Sequence, residues 1–346
     1  MQKKLLEVQK ILKLTGLPSH DDVFDLCNVA STILENEKDD YRPLSDSFAA
    51  GSLLDFRSKN LPVIVVPDIH ARPDFLLNII NYVHPEGFIP KVKKNYTVFQ
   101  ALSKGYIRVI CVGDALHTEL NTKERWLAAM EEFNKEIYTG PAISAEMLEG
   151  MKTICALMKL KELFPKHFHF LKGNHENITN RSGHGDFAFR KFANEGYMVR
   201  EFIHEFYGDD ILYLLSCVEN AMPLMAVTGN CVISHAEPKT GFTLHQIINA
   251  REYADVVAGL TWTANDDAEK GSVEQVIANI CGPVMVPRFV YLAGHRPVKD
   301  NYALRQNNQF IQIHNPAKEN ICLVYKNRKF NPETDIINVD SEAKDE

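Results

Sequence analysis

The chain predicts an α/β fold whose buried strands carry chemically active residues at their carboxyl ends. Three observations predict it. Five apolar runs each finish on Asp, Asn or His: 61–67 before Asp68-Ile69-His70, 107–113 before Asp114-Ala115-Leu116-His117, 168–171 before Gly173-Asn174-His175-Glu176, 232–234 before His235, and 289–294 before His295. The first run is followed by a helical pattern through Phe75, Leu76, Ile79 and Ile80, a strand, loop and helix unit of the kind that builds an α/β layer. Helical periodicity fills most of the sequence between the runs. With 346 residues, 45% of them hydrophobic, the chain can bury the core of one large domain with additions.

Taken in order, Leu5, Leu6, Val8, Ile11, Leu12 and Leu14 recur at helical spacing until Gly16 and Pro18 interrupt it. Residues 21–37 read as a second helix capped by Asp21 or Asp22. Residues 1–60 are therefore expected as an N-terminal helical appendage packed on the main body. The catalytic domain is expected over 61–330. Within it, 84–106 carries Lys91, Lys93, Lys94 and Lys104 and reads as a lid, a hairpin or a solvated loop. A helical insertion, 119–164, is broken at Thr139-Gly140-Pro141, its second helix running through Leu148, Met151, Ala156, Leu157 and Leu160. Residues 186–206 read as one long helix with Phe187, Phe189, Phe192 and Phe202 toward the core. Strands are expected at 213–217 and 224–227, then the turn Thr228-Gly229-Asn230 and the strand that delivers His235. A helical stretch at 244–258 follows, and strands at 309–314 and 320–326 close the sheet. The acidic end, 331–346, is expected to be a disordered tail.

Composition narrows the function. A net charge of −7, from 38 basic and 45 acidic residues, argues against a general nucleic-acid binder, because phosphate-backbone binding needs a basic surface. Cys27, Cys111, Cys155, Cys217, Cys231, Cys281 and Cys322 form no C-x-x-C pair, and several lie in apolar runs; reduced, buried thiols are expected. Nowhere do 18 uncharged apolar residues run together, and Glu7 and Lys10 interrupt any signal-like core at the N-terminus, so no membrane association and a cytoplasmic location are expected.

The strand ends carry the chemistry. Asp68 and His70, two apart on an extended segment, point the same way and can share a cation. Ligands at the carboxyl ends of several strands converge on one sheet edge. Two carboxylates, an amide oxygen and three imidazoles are too many for one tetrahedral zinc ion, but suit a pair of ions roughly 3.5–4 Å apart with Asp114 as the bridge. Two divalent ions outweigh two aspartates, and the excess positive charge can hold a phosphate.

At this point the sequence resembles the calcineurin-like metallophosphoesterases, whose pattern is D-x-H, then G-D-x-x-D or a variant, then G-N-H-E or G-N-H-D, then two histidines, the last after a glycine. Here these read Asp68-Ile69-His70, Gly113-Asp114-Ala115-Leu116-His117, Gly173-Asn174-His175-Glu176, His235 and Gly294-His295. Met222-Pro223-Leu224-Met225-Ala226, Val232-Ile233-Ser234-His235-Ala236-Glu237-Pro238 and Leu260-Thr261-Trp262-Thr263 are similar to segments of its phosphoprotein phosphatase branch, which includes protein serine/threonine phosphatases and dinucleoside tetraphosphatases.

The resemblance implies a two-sheet β-sandwich flanked by helices and two divalent or trivalent ions, manganese, iron or zinc. Asp68, His70 and Asp114 would hold one; Asp114, Asn174, His235 and His295 would hold the other. It further implies in-line attack on phosphorus by a hydroxide bridging the ions, with His175 as the acid for the leaving oxygen. Arg72, Arg181 and Arg296 follow three of the motifs and are the candidate phosphate forks. The expected function is a dimetal-dependent phosphohydrolase acting on a phosphorylated protein or small molecule. The alternatives are a nucleotide or dinucleoside polyphosphate pyrophosphohydrolase and a non-catalytic metal-bound scaffold.

Two departures stand out. His117 and Thr118 occupy the places of an Asp-Arg pair usual in the branch. A neutral His117 can hydrogen-bond His175 but cannot stabilise a cationic imidazole as a carboxylate does; it is the second catalytic candidate, with an extra ligand, a phosphate contact and a structural histidine as its other readings. Ala236-Glu237 replaces a glycine pair and sets a carboxylate where phosphate would approach.

Overall fold

In the computed structural model, which describes residues 1–340, the chain opens with helices α1 (Gln2–Leu12) and α2 (His20–Glu35), then strand β1 (Leu53–Asp55). Strand β2 (Val63–Val66) leads to α3 (Pro73–Asn81) and α4 (Val98–Ser103), β3 (Arg108–Cys111) to α5 (Lys123–Phe133) and α6 (Pro141–Leu163), and β4 (Phe168–Phe170) to α7 (Glu195–Tyr207) and α8 (Asp209–Ala221). There follow β5 (Met225–Val227), β6 (Cys231–Ser234), α9 (Leu244–Ile248), α10 (Ala254–Thr261), α11 (Ser272–Cys281), β7 (Val290–Ala293), β8 (Ala303–Arg305), β9 (Phe310–Gln312), β10 (Asn320–Val324), α12 (Pro332–Asp335) and β11 (Ile336–Asn338).

The strands form two mixed sheets, ordered β1-β5-β6-β7-β9-β8 and β11-β10-β2-β3-β4. Side chains alternate across each strand, so one face of each sheet meets the other sheet and the opposite face meets helices. Val63 and Val65 of β2 pack with Ile233 of β6 and Leu292 of β7 between the sheets. Their neighbours Ile64 and Val66 join the helical layer of α1 to α8. On the far side Val232 and Tyr291 pack against Val256, Leu260 and Val276 of α10 and α11. The result is a β-sandwich flanked by helices on both faces. β2, β3 and β4 run parallel, as do β6, β7 and β9, so each set delivers its carboxyl ends to one edge.

Several expectations need correcting. The helical segment expected to end at residue 60 contains β1, which pairs in parallel with β5; Leu53 and Leu54 are fully buried strand residues, not part of an appendage. The acidic end is ordered through residue 340: Arg328 pairs with Asp335, and β11 adds to β10 as an edge strand. Residues 341–346 lie outside the described residues. The long helix expected over 186–206 starts at Glu195, whose carboxylate turns back to accept from the N–H groups of Lys191, at 2.9 Å, Phe192 and Ala193, at 3.0 Å. Residues 213–217 lie in α8, where Ile211, Leu212, Leu215 and Val218 present one buried helical stripe. The α2 cap is Ser19, which accepts from Asp22 N at 3.2 Å.

The N-terminal segment is fixed by a buried ionic cluster. Glu37 accepts from Arg42 Nη1 at 2.7 Å and from Lys161 Nζ of α6 at 2.5 Å, and lies 3.1 Å from His169 Nδ1 of β4. Arg42 donates further to the carbonyls of Leu34, Gly51 and Ala221. All seven cysteines are free, and no helix among the described residues is long and apolar enough to cross a membrane.

Candidate metal centre

The strand ends converge at one edge of the sandwich. Asp68 and His70 follow β2, Asp114 and His117 follow β3, Asn174 and His175 follow β4, His235 follows β6, and His295 follows β7. The loops are tightly wound. His70, Asp114, His117 and His295 all have positive φ, between 46° and 66°, a region non-glycine residues seldom adopt. Two glycines permit the approach: a Cβ on Gly173 would meet Asp114 Oδ1 at 2.2 Å, and one on Gly294 would meet Asp68 Oδ1 at 2.2 Å. Glu176 staples the β3 and β4 loops by accepting from the N–H groups of Asp114, Ala115 and Gly173 at 2.9, 2.8 and 2.6 Å.

Asp114 is central. Its Oδ1 accepts from His175 N at 3.0 Å, while its Oδ2 lies 3.7 Å from His70 Nε2, 3.7 Å from His175 Nε2 and 3.5 Å from His235 Nε2. Asn174 Oδ1 lies 2.9 Å from His235 Nε2 and 3.0 Å from His295 Nδ1. Asp68 Oδ2 accepts from His295 N at 2.7 Å, and Asp68 Oδ1 lies 3.4 Å from His235 Nδ1. His70 Nδ1 is turned to the His117 carbonyl, 3.0 Å away, which leaves its Nε2 between Glu119 Oε2, at 3.3 Å, and Asp114 Oδ2, at 3.7 Å.

The donor set fits metal ions. Asp68 Oδ1 and His295 Nε2 are buried yet have no hydrogen-bond partner, and such orphaned atoms are uncommon unless something else satisfies them. Burial pushes the Asp68 carboxyl up to about 6, and burial with Glu176 and Asp68 nearby holds Asp114 well above the usual carboxylate range. Burial likewise pushes His70 and His295 down to about 3 and His235 well below its ordinary value. Clustered carboxylates that resist negative charge, beside neutral imidazoles with lone pairs, are an environment that a cation would relieve. Two trios, His70-Asp114-His175 and Asp68-Asp114-His235, each bring ligating atoms within 4.8 Å of one another.

The other predicted residues divide. His175 Nδ1 lies 3.0 Å from His117 Nδ1, so the two imidazoles share one hydrogen bond where the resemblance led to expect a carboxylate. Arg296 lines the cleft of about 240 Å³ that opens onto the cluster. Arg72 does not serve it: its guanidinium donates to the carbonyls of Ile69, Pro316, Lys318 and Asp68 and lies over the Phe75 ring, bracing the loop from behind. Arg181 is exposed and lies outside the cleft lining. Following a motif closely did not aim either side chain at the site. Glu237 is taken up by Arg305 at 3.0 Å and Gln306 at 2.7 Å.

Sequence reasoning missed several cleft and cluster residues, Glu119 among them. Arg190 and Lys191 line the cleft, and Phe189 packs against His175 with ring centroids 3.6 Å apart and planes tilted by 43°; all three lie in a loop where the sequence suggests a helix. His314, fully buried, lies 3.3 Å from Asp68 Oδ2, and Asp68, His70 and His314 form a third ligating trio. The sequence signal for it is weaker than at the other strand ends, since Phe310, Ile311 and Ile313 precede it but Gln312 interrupts the apolar run.

No protein-family model and no curated protein sequence matches the chain. Solved structures do. A protein serine/threonine phosphatase from Saccharomyces cerevisiae, with similarity to a human phosphatase, superposes with a TM-score of 0.57 at 12% identity over 93% of this chain and 90% of its own. A cold-active protein-tyrosine phosphatase from a psychrophilic Shewanella species gives 0.45 at 12% identity over 83% and 82%. The architecture described above, together with the first of these likenesses, defines the class of the fold: it is a two-sheet sandwich of the calcineurin-like phosphatase fold.

Proposed function

We propose that the chain is a dimetal-dependent phosphohydrolase that cleaves a phosphoester. The observation that carries this reading is the convergence, from five strand ends, of two aspartates, one asparagine and three histidines into a single cluster, buried except for the partly exposed His295, at the mouth of a cleft. Asp68, His70 and Asp114 would hold one ion, and Asp114, Asn174, His235 and His295 the other. Ions held there would supply water activation near neutral pH and charge neutralisation for a phosphoryl group.

The chain's own residues do the rest. Arg296 and Arg190 line the cleft, where planar guanidinium groups can hold phosphate oxygens, while Lys191 is paired with Glu119. His175, with its Nε2 toward Asp114, is the proton donor to the leaving oxygen, and Phe189 covers its ring. His117 is a positioning residue twice over: its carbonyl orients His70 and its imidazole holds His175. The substrate is a phosphorylated protein or small molecule.

The test is His175→Ala in manganese-reconstituted protein. Metal content should stay at two ions per chain while phosphate release falls by about 10²–10⁴-fold, the usual worth of a general acid. Undiminished release from the variant would remove His175 from the mechanism.

A further inference from the structure

We propose that His314 is a fourth protein ligand of the first ion, through Nδ1, and that Glu119 is the carboxylate that orients it. The inference rests on the dimetal reading above. On the strand-end residues alone the two ions are served unequally, one by three side chains and the other by four. His314 repairs the imbalance. It leaves β9 beside β7, and its ring is fully buried next to His70, with ring centroids 5.2 Å apart.

The tautomer follows from the partners. His314 Nε2 is 2.8 Å from Glu119 Oε2, an acceptor, so the ring proton belongs on Nε2 and the lone pair on Nδ1. Nδ1 is buried without a hydrogen-bond partner and points to Asp68, whose Oδ2 is 3.3 Å away. A histidine with one nitrogen held by a carboxylate and the other free toward clustered acidic oxygens is the arrangement by which an outer carboxylate fixes a metal-binding imidazole. Glu119 is itself held by Lys191, and its Oε2 also lies 3.3 Å from His70 Nε2, so it borders both imidazoles of the first ion. With His314 included, each ion receives two imidazoles and two side-chain oxygens, Asp114 being shared.

Equilibrium dialysis of chelator-stripped protein against Mn2+, with metal analysis, tests this on the wild type, His314→Ala and Glu119→Gln. The wild type should take two ions. His314→Ala should keep one tight ion and bind the other at least about 100-fold more weakly, while Glu119→Gln should weaken the same ion about 10- to 100-fold, as loss of an outer partner does. Two wild-type-like ions in a folded His314→Ala protein would overturn the proposal. Should that variant not fold, as judged by circular dichroism, unchanged Mn2+ binding in Glu119→Gln would overturn it instead. A wild type that never binds a second ion would refute the dimetal reading itself, which is a different outcome.

Discussion

Asp114→Asn is expected to abolish phosphate release, by more than about 10³-fold, and to leave at most one bound ion per chain. The change is nearly isosteric, and the amide oxygen can still accept from His175 N as Asp114 Oδ1 does at 3.0 Å. What it removes is the second oxygen, the atom within 3.5–3.7 Å of His70, His175 and His235. An amide nitrogen there cannot bridge two cations, and the loss should exceed the 10- to 100-fold typical of an outer-shell change. Metal analysis and phosphate release on the same sample check both halves. A variant holding two ions would show that Asp114 is not the bridge.

The second large effect concerns stability. Glu37→Gln should destabilise the fold by about 3–5 kcal/mol, measured by urea unfolding, because it leaves Arg42 and Lys161 buried and uncompensated. Replacing Glu37, Arg42 and Lys161 together by apolar residues should cost much less. The cluster also sets a pH dependence. Burial alone would push the Glu37 carboxyl up, but Lys161, His169 and Arg42 together hold it below the usual glutamate range. Its folded pKa is depressed, so its contribution is full above about pH 5 and is lost as pH falls below about 4. Wild-type stability should therefore decline more steeply in acid than that of Glu37→Gln. Parallel pH profiles would show the cluster to be unimportant.

These effects arise from parts of the molecule that differ in how far the sequence exposed them. The five strand ends were legible because a strand buried on both faces is mostly apolar, with His169 and Arg108 as exceptions, so clustered polar residues at its end stand out. Asp68, Asp114, Asn174, His235 and His295 all obey this rule and meet in space. His314 departs from it, because Gln312, a buried amide that donates to Asn265 Oδ1, interrupts the apolar residues before it. Glu119 gave no local signal; it stands five residues past Asp114 in a loop, and its role comes from contact with His314, 195 positions away. The segment 186–194 suggests a helix only through Phe189 and Phe192, three apart, yet Phe189 is spent covering His175 and Phe187, two before it, is half-exposed against Trp262. Likewise the Glu37 cluster joins residues up to 132 positions apart, which no periodicity encodes.

One titration tests the central claim most directly: phosphate release from an aryl phosphate, measured as chelator-stripped protein is reconstituted stepwise with Mn2+. The account predicts no release from stripped protein and a rate that rises as the second equivalent binds, with none from Asp114→Asn at any concentration. Protein that holds two ions and still releases no phosphate, from this or from a phosphopeptide, a mononucleotide or a dinucleoside polyphosphate, would contradict it.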